Sequence, residues 1–131
     1  MRTKKPVIKE ADLLLQVVDY IRYQYPKILY RVDYGAGLKM SIQQAVMQKR
    51  IQKCKAWPDL FIAHPKNKYA GLFIEIKKSR SEVFNKWGQY KKVTHIQEQA
   101  EILRHLENMS YIAEFGCGFD DIKTIIDNYL K

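Results

Sequence analysis

Three charged residues near the middle of the chain have the types and spacing to do chemistry on a phosphate: Asp59, Glu75 and Lys77. Asp59 opens a short run of apolar and aromatic residues, Asp59 to His64, and Glu75 and Lys77 bracket Ile76 near the end of a second run, Leu72 to Lys77. Pro65, Lys66, Asn67 and Gly71 interrupt the pattern between the runs, so the spacing predicts a β-hairpin. Residues i and i+2 share one face of a strand, about 6.6 Å apart, which puts Glu75 beside Lys77. A hairpin also brings its two open ends together, so Asp59 can meet Glu75. Converging carboxylates repel unless one is protonated or a cation lies between them, and oxygen ligands favour Mg²⁺ or Mn²⁺. Lys77 is then placed to orient a water against a phosphate and to stabilise charge as it develops. Pro-Asp is also an ordinary turn start, and Glu-x-Lys an ordinary surface pair. However, Leu72, Phe73, Ile74 and Ile76 make the second strand apolar on both faces, and such strands rarely carry idle charges.

The elements that must position these groups follow from periodicity and punctuation. A helix is expected from about Val7 or Lys9 to Tyr25, stopped by Pro26, with Leu13, Leu14, Val17, Val18, Ile21 and Tyr25 in one stripe at about 100° per residue. Glu10 falls within that stripe. A first-turn carboxylate complements the helix dipole, but one on a core-facing stripe needs a partner. Ile28 to Asp33 reads as a short strand, followed by the flexible Gly35-Ala36-Gly37, and Ser41 to Gln44 has a capping-box pattern opening a helix to about Lys53. That helix ends in Lys49, Arg50, Lys53 and Lys55, either a solvated face or a clamp on a phosphate backbone.

After the hairpin, Lys78 and Arg80 lead into a polar, basic loop where Trp87 and Tyr90 either stack on an unpaired base or, for Trp87, cap the core. Thr94 to Gln97 repeats the capping-box pattern and starts a helix to about Asn108. On it, Gln99 lies near the middle of the stripe formed by Ile96, Ala100, Ile102, Leu103 and Leu106, whereas Gln97 lies well off it. Gln97 is therefore assigned to capping and Gln99 to the interior, where it bonds a strand end or serves a site. Ser110 to Phe115 reads as the last strand, turned by Gly116-Cys117-Gly118, and Asp120 or Asp121 opens a final helix that buries Ile122, Ile125, Ile126 and Tyr129. The order predicts an α/β fold with a central mixed sheet flanked by helices.

With 131 residues, 1–131 reads as one domain, with residues 1–9, including Lys4 and Lys5, as a basic arm. No apolar run reaches the ~18 residues of a membrane span, and the N-terminus lacks the apolar stretch of a secretory signal, so a cytoplasmic protein without membrane contact is expected. Cys54 and Cys117 lie far apart, with neither zinc-ligand spacing nor a disulfide framework, and His64, His95 and His105 are scattered. The net charge of +9, from 23 Lys and Arg against 14 Asp and Glu, favours a polyanionic partner.

Pro58-Asp59 followed by Glu75-Ile76-Lys77 resembles the motif of the PD-(D/E)xK nucleases. The fuller run Gly71 to Lys77, with the later Gln99-x-x-Ile102-x-x-x-Leu106, resembles the virus-type replication-repair nuclease (VRR-NUC) domain in its small, free-standing phage or prophage form. The chain departs from the family at Trp57, where Gly is common, and at Ile102, where an aromatic residue is usual. The resemblance implies the restriction-endonuclease-like αβββαβ core and metal-dependent hydrolysis of DNA. In that scheme Asp59, Glu75 and the Ile76 carbonyl hold the metal, with Glu10 adding a ligand directly or through water. Lys77 orients the attacking water, and Gln99 holds Lys77 or the water. Lys4, Lys5, Lys49, Arg50, Lys53, Lys55, Lys78 and Arg80 would track the DNA backbone. It also implies branched DNA as substrate, action as a homodimer in a bacterial host, and no small-molecule cofactor. The alternatives from the sequence are a basic DNA-binding module without catalysis and a phage structural or assembly protein.

Overall fold

In a computed structural model the structure describes residues 9–33 and 41–131. Residues 1–8 of the basic arm, with Lys4 and Lys5, and the Gly35 to Gly37 connection lie outside these residues. The elements in order are α1 (Glu10–Gln24), β1 (Tyr30–Val32), α2 (Ile42–Ile51), β2 (Leu60–Ile62), β3 (Leu72–Lys77), a 3₁₀ turn (Arg80–Glu82), α3 (Thr94–Asn108), β4 (Ile112–Cys117) and α4 (Phe119–Leu130). They form the expected mixed sheet, order β1-β2-β3-β4, in which β1, β2 and β3 are antiparallel and β4 lies parallel to β3. A parallel neighbour requires a crossover, which α3 supplies.

The sheet sorts its side chains by parity. Leu72, Ile74 and Ile76 point to the face covered by α1 and α4, where Leu13, Val17 and Ile21 meet Ile122, Ile126 and Tyr129. Phe73, with Ala113 and Phe115 of β4, points to the other face and packs under Ile96, Leu103 and Leu106 of α3. The α1 stripe is as its periodicity predicts. At the C-terminal end of α1, Tyr20 and Tyr25 both donate to Asp127 of α4, at 2.5 and 2.6 Å, locking the two helices together.

Several boundaries depart from expectation, each for a local reason. β1 starts late because Ile28 still donates to Tyr25 O in the turn after Pro26. The Ser41 capping box forms with Gln44, but α2 stops at Ile51 rather than Lys53. Thr94 is not a cap: α3 begins with it, preceded by Val93 without a side-chain bond, and Gln97 Nε2 instead donates to Lys91 O. Ser110, at φ 71°, belongs to the turn, and β4 continues through Gly116 and Cys117. Gly118, at φ 90°, then precedes α4, which starts at Phe119, one or two residues before the expected Asp120 or Asp121. Trp87 is 73% exposed and caps nothing, while Val83 from the same loop is fully buried. Cys54 and Cys117 are free thiols, and no helix among the described residues is long and apolar enough to cross a membrane.

Gly116 continues as strand because α4 presses against it. A Cβ there would stand 2.5 Å from Ile122 Cγ1 and 2.8 Å from Ile74 Cγ2, so either α4 or the strand must shift. Gly116→Ala is expected to destabilise the protein by about 1–3 kcal/mol, the range for overpacking a core. Thermal unfolding checks this, and an unchanged melting temperature would show that α4 is free to move.

Candidate functional site

The pairing registers place two cross-strand rows on the α3 face of the sheet. Arg31, Phe61, Phe73 and Ala113 form the first. Continued by one pleat, the same registers give Asp33, Asp59, Glu75 and Phe115, and the bond from Asp33 N to Asp59 O at 2.8 Å extends the ladder to that row. Residues directly opposite on antiparallel strands have Cβ atoms about 5 Å apart. The predicted meeting of Asp59 and Glu75 follows from this.

β2 begins one residue after the expected start at Asp59, because of the two residues that precede Leu60, and stops at Ile62 rather than His64. Pro58 is buried opposite Ile76 and has no N–H to offer the Ile76 carbonyl. The Ile76 N–H goes instead to Asp59 Oδ2 at 2.9 Å. The Pro-Asp pair thus fixes the Asp59 carboxylate against β3 and leaves the Ile76 carbonyl oxygen without an N–H from β2. Pro58 is a positioning residue that spacing alone did not reveal; its signal was the proline opposite a central strand.

Glu75 is 4% exposed and is the charged residue that the described core buries. Gln99 Nε2 donates to Glu75 Oε1 at 2.9 Å, and Lys77 Nζ stands 4.0 Å from the same oxygen. Gln99 therefore reaches inward as its place on the helix stripe predicts. Its own Oε1 is buried with no hydrogen-bond partner in the protein. Burial first, and then the charge of Asp59, push the Glu75 carboxyl up to about 9, with Lys77 opposing. Burial also raises Asp59, against the pull of the Ile76 N–H and of its hydrogen bond with Glu75.

Glu10 departs from expectation. It is exposed at the start of α1, one turn before Leu13, the first buried residue of that helix, although its charge adds to the field that raises Glu75. Among the described residues no three Asp, Glu, His or Cys side chains converge as a ligand group. The donors that do converge are the carboxylates of Asp59 and Glu75, with the Ile76 carbonyl beside them. This all-oxygen set, crowded with negative charge and bordered by the orphaned Gln99 Oε1, fits a hard divalent cation such as Mg²⁺ or Mn²⁺.

Of the basic residues, Lys49, Arg50, Lys53, Lys55, Lys78 and Arg80 are all exposed. Lys78 pairs with Glu82 at 3.8 Å, and the Arg80 guanidinium lies 4.5 Å from the Phe84 ring centre. Lys53 borders an open groove of about 860 Å³ beside Pro58, floored by Phe61 and Phe73.

The chain shares the fold of a solved structure described as a VRR_NUC domain protein. The TM-score is 0.62 and the identity 21%, covering 98% of this chain and 91% of that one. No protein-family model and no curated protein matches the chain.

The Glu75 shift has a measurable sign. The folded protein keeps a proton on Glu75 up to about pH 9, whereas an unfolded chain releases it near the ordinary value of 4.5. Between those values the native state binds more protons, so stability falls as pH rises. With a chelator present, the melting temperature is expected to drop by several degrees from about pH 5 to about pH 9. Glu75→Gln should flatten that slope, and Mg²⁺ should oppose it. An equal slope in Glu75→Gln would place the proton elsewhere.

Proposed function

We propose that the chain is a nuclease of the VRR-NUC kind, which hydrolyses DNA phosphodiester bonds with Mg²⁺ or Mn²⁺ as cofactor. The observation that carries this reading is the buried Glu75, facing Asp59 across the strand pair with the Lys77 ammonium 4.0 Å away. A fold that buries a carboxylate against another carboxylate gives up stability to do so, and a structural role does not require it. The resemblance in sequence and the shared fold support the same activity.

Asp59, Glu75 and the Ile76 carbonyl would hold the cation, with Glu10, on the outside of α1, reaching it through water. The bound cation supplies Lewis acidity toward the scissile phosphate and lowers the pKa of water. Lys77, with its side chain 12% exposed, sits at the mouth of the site; it orients the attacking water and offsets charge on the pentavalent phosphorane. Gln99 fixes the rotamer of Glu75 through Nε2 and is a positioning residue. The exposed Lys49, Arg50, Lys53, Lys55, Lys78 and Arg80 neutralise backbone phosphates on either side, with Lys4 and Lys5 extending the track.

Asp59→Ala and Lys77→Ala are each expected to reduce cleavage of labelled linear and branched DNA by about a hundred- to a thousandfold or more. Circular dichroism should remain that of the parent protein. Parent rates in either variant would refute the assignment. DNA binding that is indifferent to Mg²⁺ and Mn²⁺, with no cleavage, would leave a basic binding module instead.

A site that cuts one strand per encounter must be duplicated to cut two strands symmetrically, so paired incision of a junction calls for a two-fold homodimer. Of Tyr20, Tyr23 and Tyr25 at the end of α1, the first and last are engaged by Asp127 within the chain, which leaves Tyr23 as the one exposed ring there. In the Phe84 to Tyr90 loop, the two end rings stack on each other. Helix α2 offers more apolar surface: none of its residues is buried, and Ile42, Val46, Met47 and Ile51 are each exposed. Light scattering at micromolar concentration is expected to give twice 15.5 kDa, and Val46→Asp should return the monomer. A monomer throughout, with and without junction DNA, would leave a nicking or flap nuclease.

A further inference from the structure

Among the described residues, helical cover on the α3 face of the sheet reaches only half of its strands. As the β3-to-β4 crossover, α3 lies over those two strands, and the same face of β1 and β2 opens into the groove beside Pro58. Its floor is aromatic: the Phe61 and Phe73 rings stack with centres 4.4 Å apart, and Trp57 stands edge-on to Phe73 at 5.4 Å. Trp57 is 47% exposed at the rim, so a large apolar ring faces solvent beside the carboxylate pair. Arg31 and Lys53, both exposed, border the same groove.

We infer that this groove receives the base of an unpaired nucleotide next to the phosphate being cut, stacked against Trp57 and the Phe61 ring. The inference rests on the nuclease reading and adds a substrate class to it. The two rows explain the fit. Phe61 and Phe73 lie one pleat from Asp59 and Glu75 on the same face, about 6.6 Å away, so one nucleotide can lay its phosphate over the acidic row and its base over the rings. Aromatic faces accept any base, and Arg31 and Lys53 supply the positive charge that the adjoining phosphates require. A base paired and stacked within continuous duplex cannot enter the groove without leaving its helix, whereas one at a branch, a flap or a single-stranded end is already free. Trp57 thus gives the site a preference for DNA that is locally unpaired at the cut.

Trp57 and Trp87 are the chain's two tryptophans, so Trp87→Phe makes Trp57 the only indole reporter. With EDTA present to prevent cleavage, a twelve-nucleotide single strand and a flapped duplex are expected to quench Trp57 fluorescence, and a blunt duplex to leave it unchanged. In the parent background, Trp57→Ala should weaken single-strand and flap binding by roughly ten- to a hundredfold while leaving blunt-duplex affinity within about twofold. Trp57→Phe should restore most of the loss, which a defect in folding would not allow. Equal weakening on all three DNAs, or quenching by blunt duplex as strongly as by single strand, would overturn the inference and leave the nuclease reading standing. Quenching that grows with protein concentration in the absence of DNA would also overturn it, by placing a second copy in the groove. No binding to any DNA, with no cleavage in Mg²⁺, would refute the nuclease reading itself and the inference with it.

Discussion

A carboxylate buried against another carboxylate is the constraint on which this structure turns. Glu75 sits in the most enclosed strand of the sheet, between layers that exclude water from both sides, and Asp59 stands directly opposite. The fold gives the pair a proton rather than a full counter-charge: Lys77 is 4.0 Å from Glu75, Gln99 contributes one hydrogen bond, and burial beside Asp59 keeps Glu75 protonated. A core of this size could have held a leucine at position 75 and been more stable. That the neighbouring residues instead orient both acids, through the Ile76 N–H for Asp59 and the Gln99 amide for Glu75, marks the pair as a place where stability is given up for chemistry.

The helices divide the remaining work unequally. α1 and α4 close one face of the sheet completely, tied together by the two tyrosine bonds to Asp127, so the β3 backbone has little room to move. α3 closes the other face only over β3 and β4, which is enough to bring Gln99 to Glu75 and to leave the acidic row open at its β2 end. Rigidity on one side and access on the other both come from the topology, since a single crossover helix cannot span four strands.

Much of this was legible in the sequence wherever one period dominated. β3 and α3 have the boundaries that alternation and helical spacing predict, and Gln99 was separable from Gln97 by its angle on the stripe. What escaped was set by tertiary contact. Gly116 reads as a turn former and is strand, because α4 needs the missing side chain; Thr94 reads as a cap and is not, because the preceding loop supplies Lys91 O to Gln97. Glu10 lies on the apolar stripe by angle but one turn before the first buried residue, where α1 has already left the core. The aromatic row was invisible for another reason: Arg31, Phe61 and Phe73 come from three separate strands, and only the register aligns them.

The topology also sets the order in which the molecule can be assembled. The β2–β3 hairpin closes a short loop, whereas β3 and β4 cannot pair until the whole of α3 has crossed between them. Asp59 and Glu75 therefore first meet in an open hairpin, hydrated, where water weakens their repulsion. The expensive event is the later docking of α3, which strips that water away and delivers Gln99. Any opening that lifts α3 therefore returns water to Glu75, removes the Gln99 bond and releases the strain of the acidic pair.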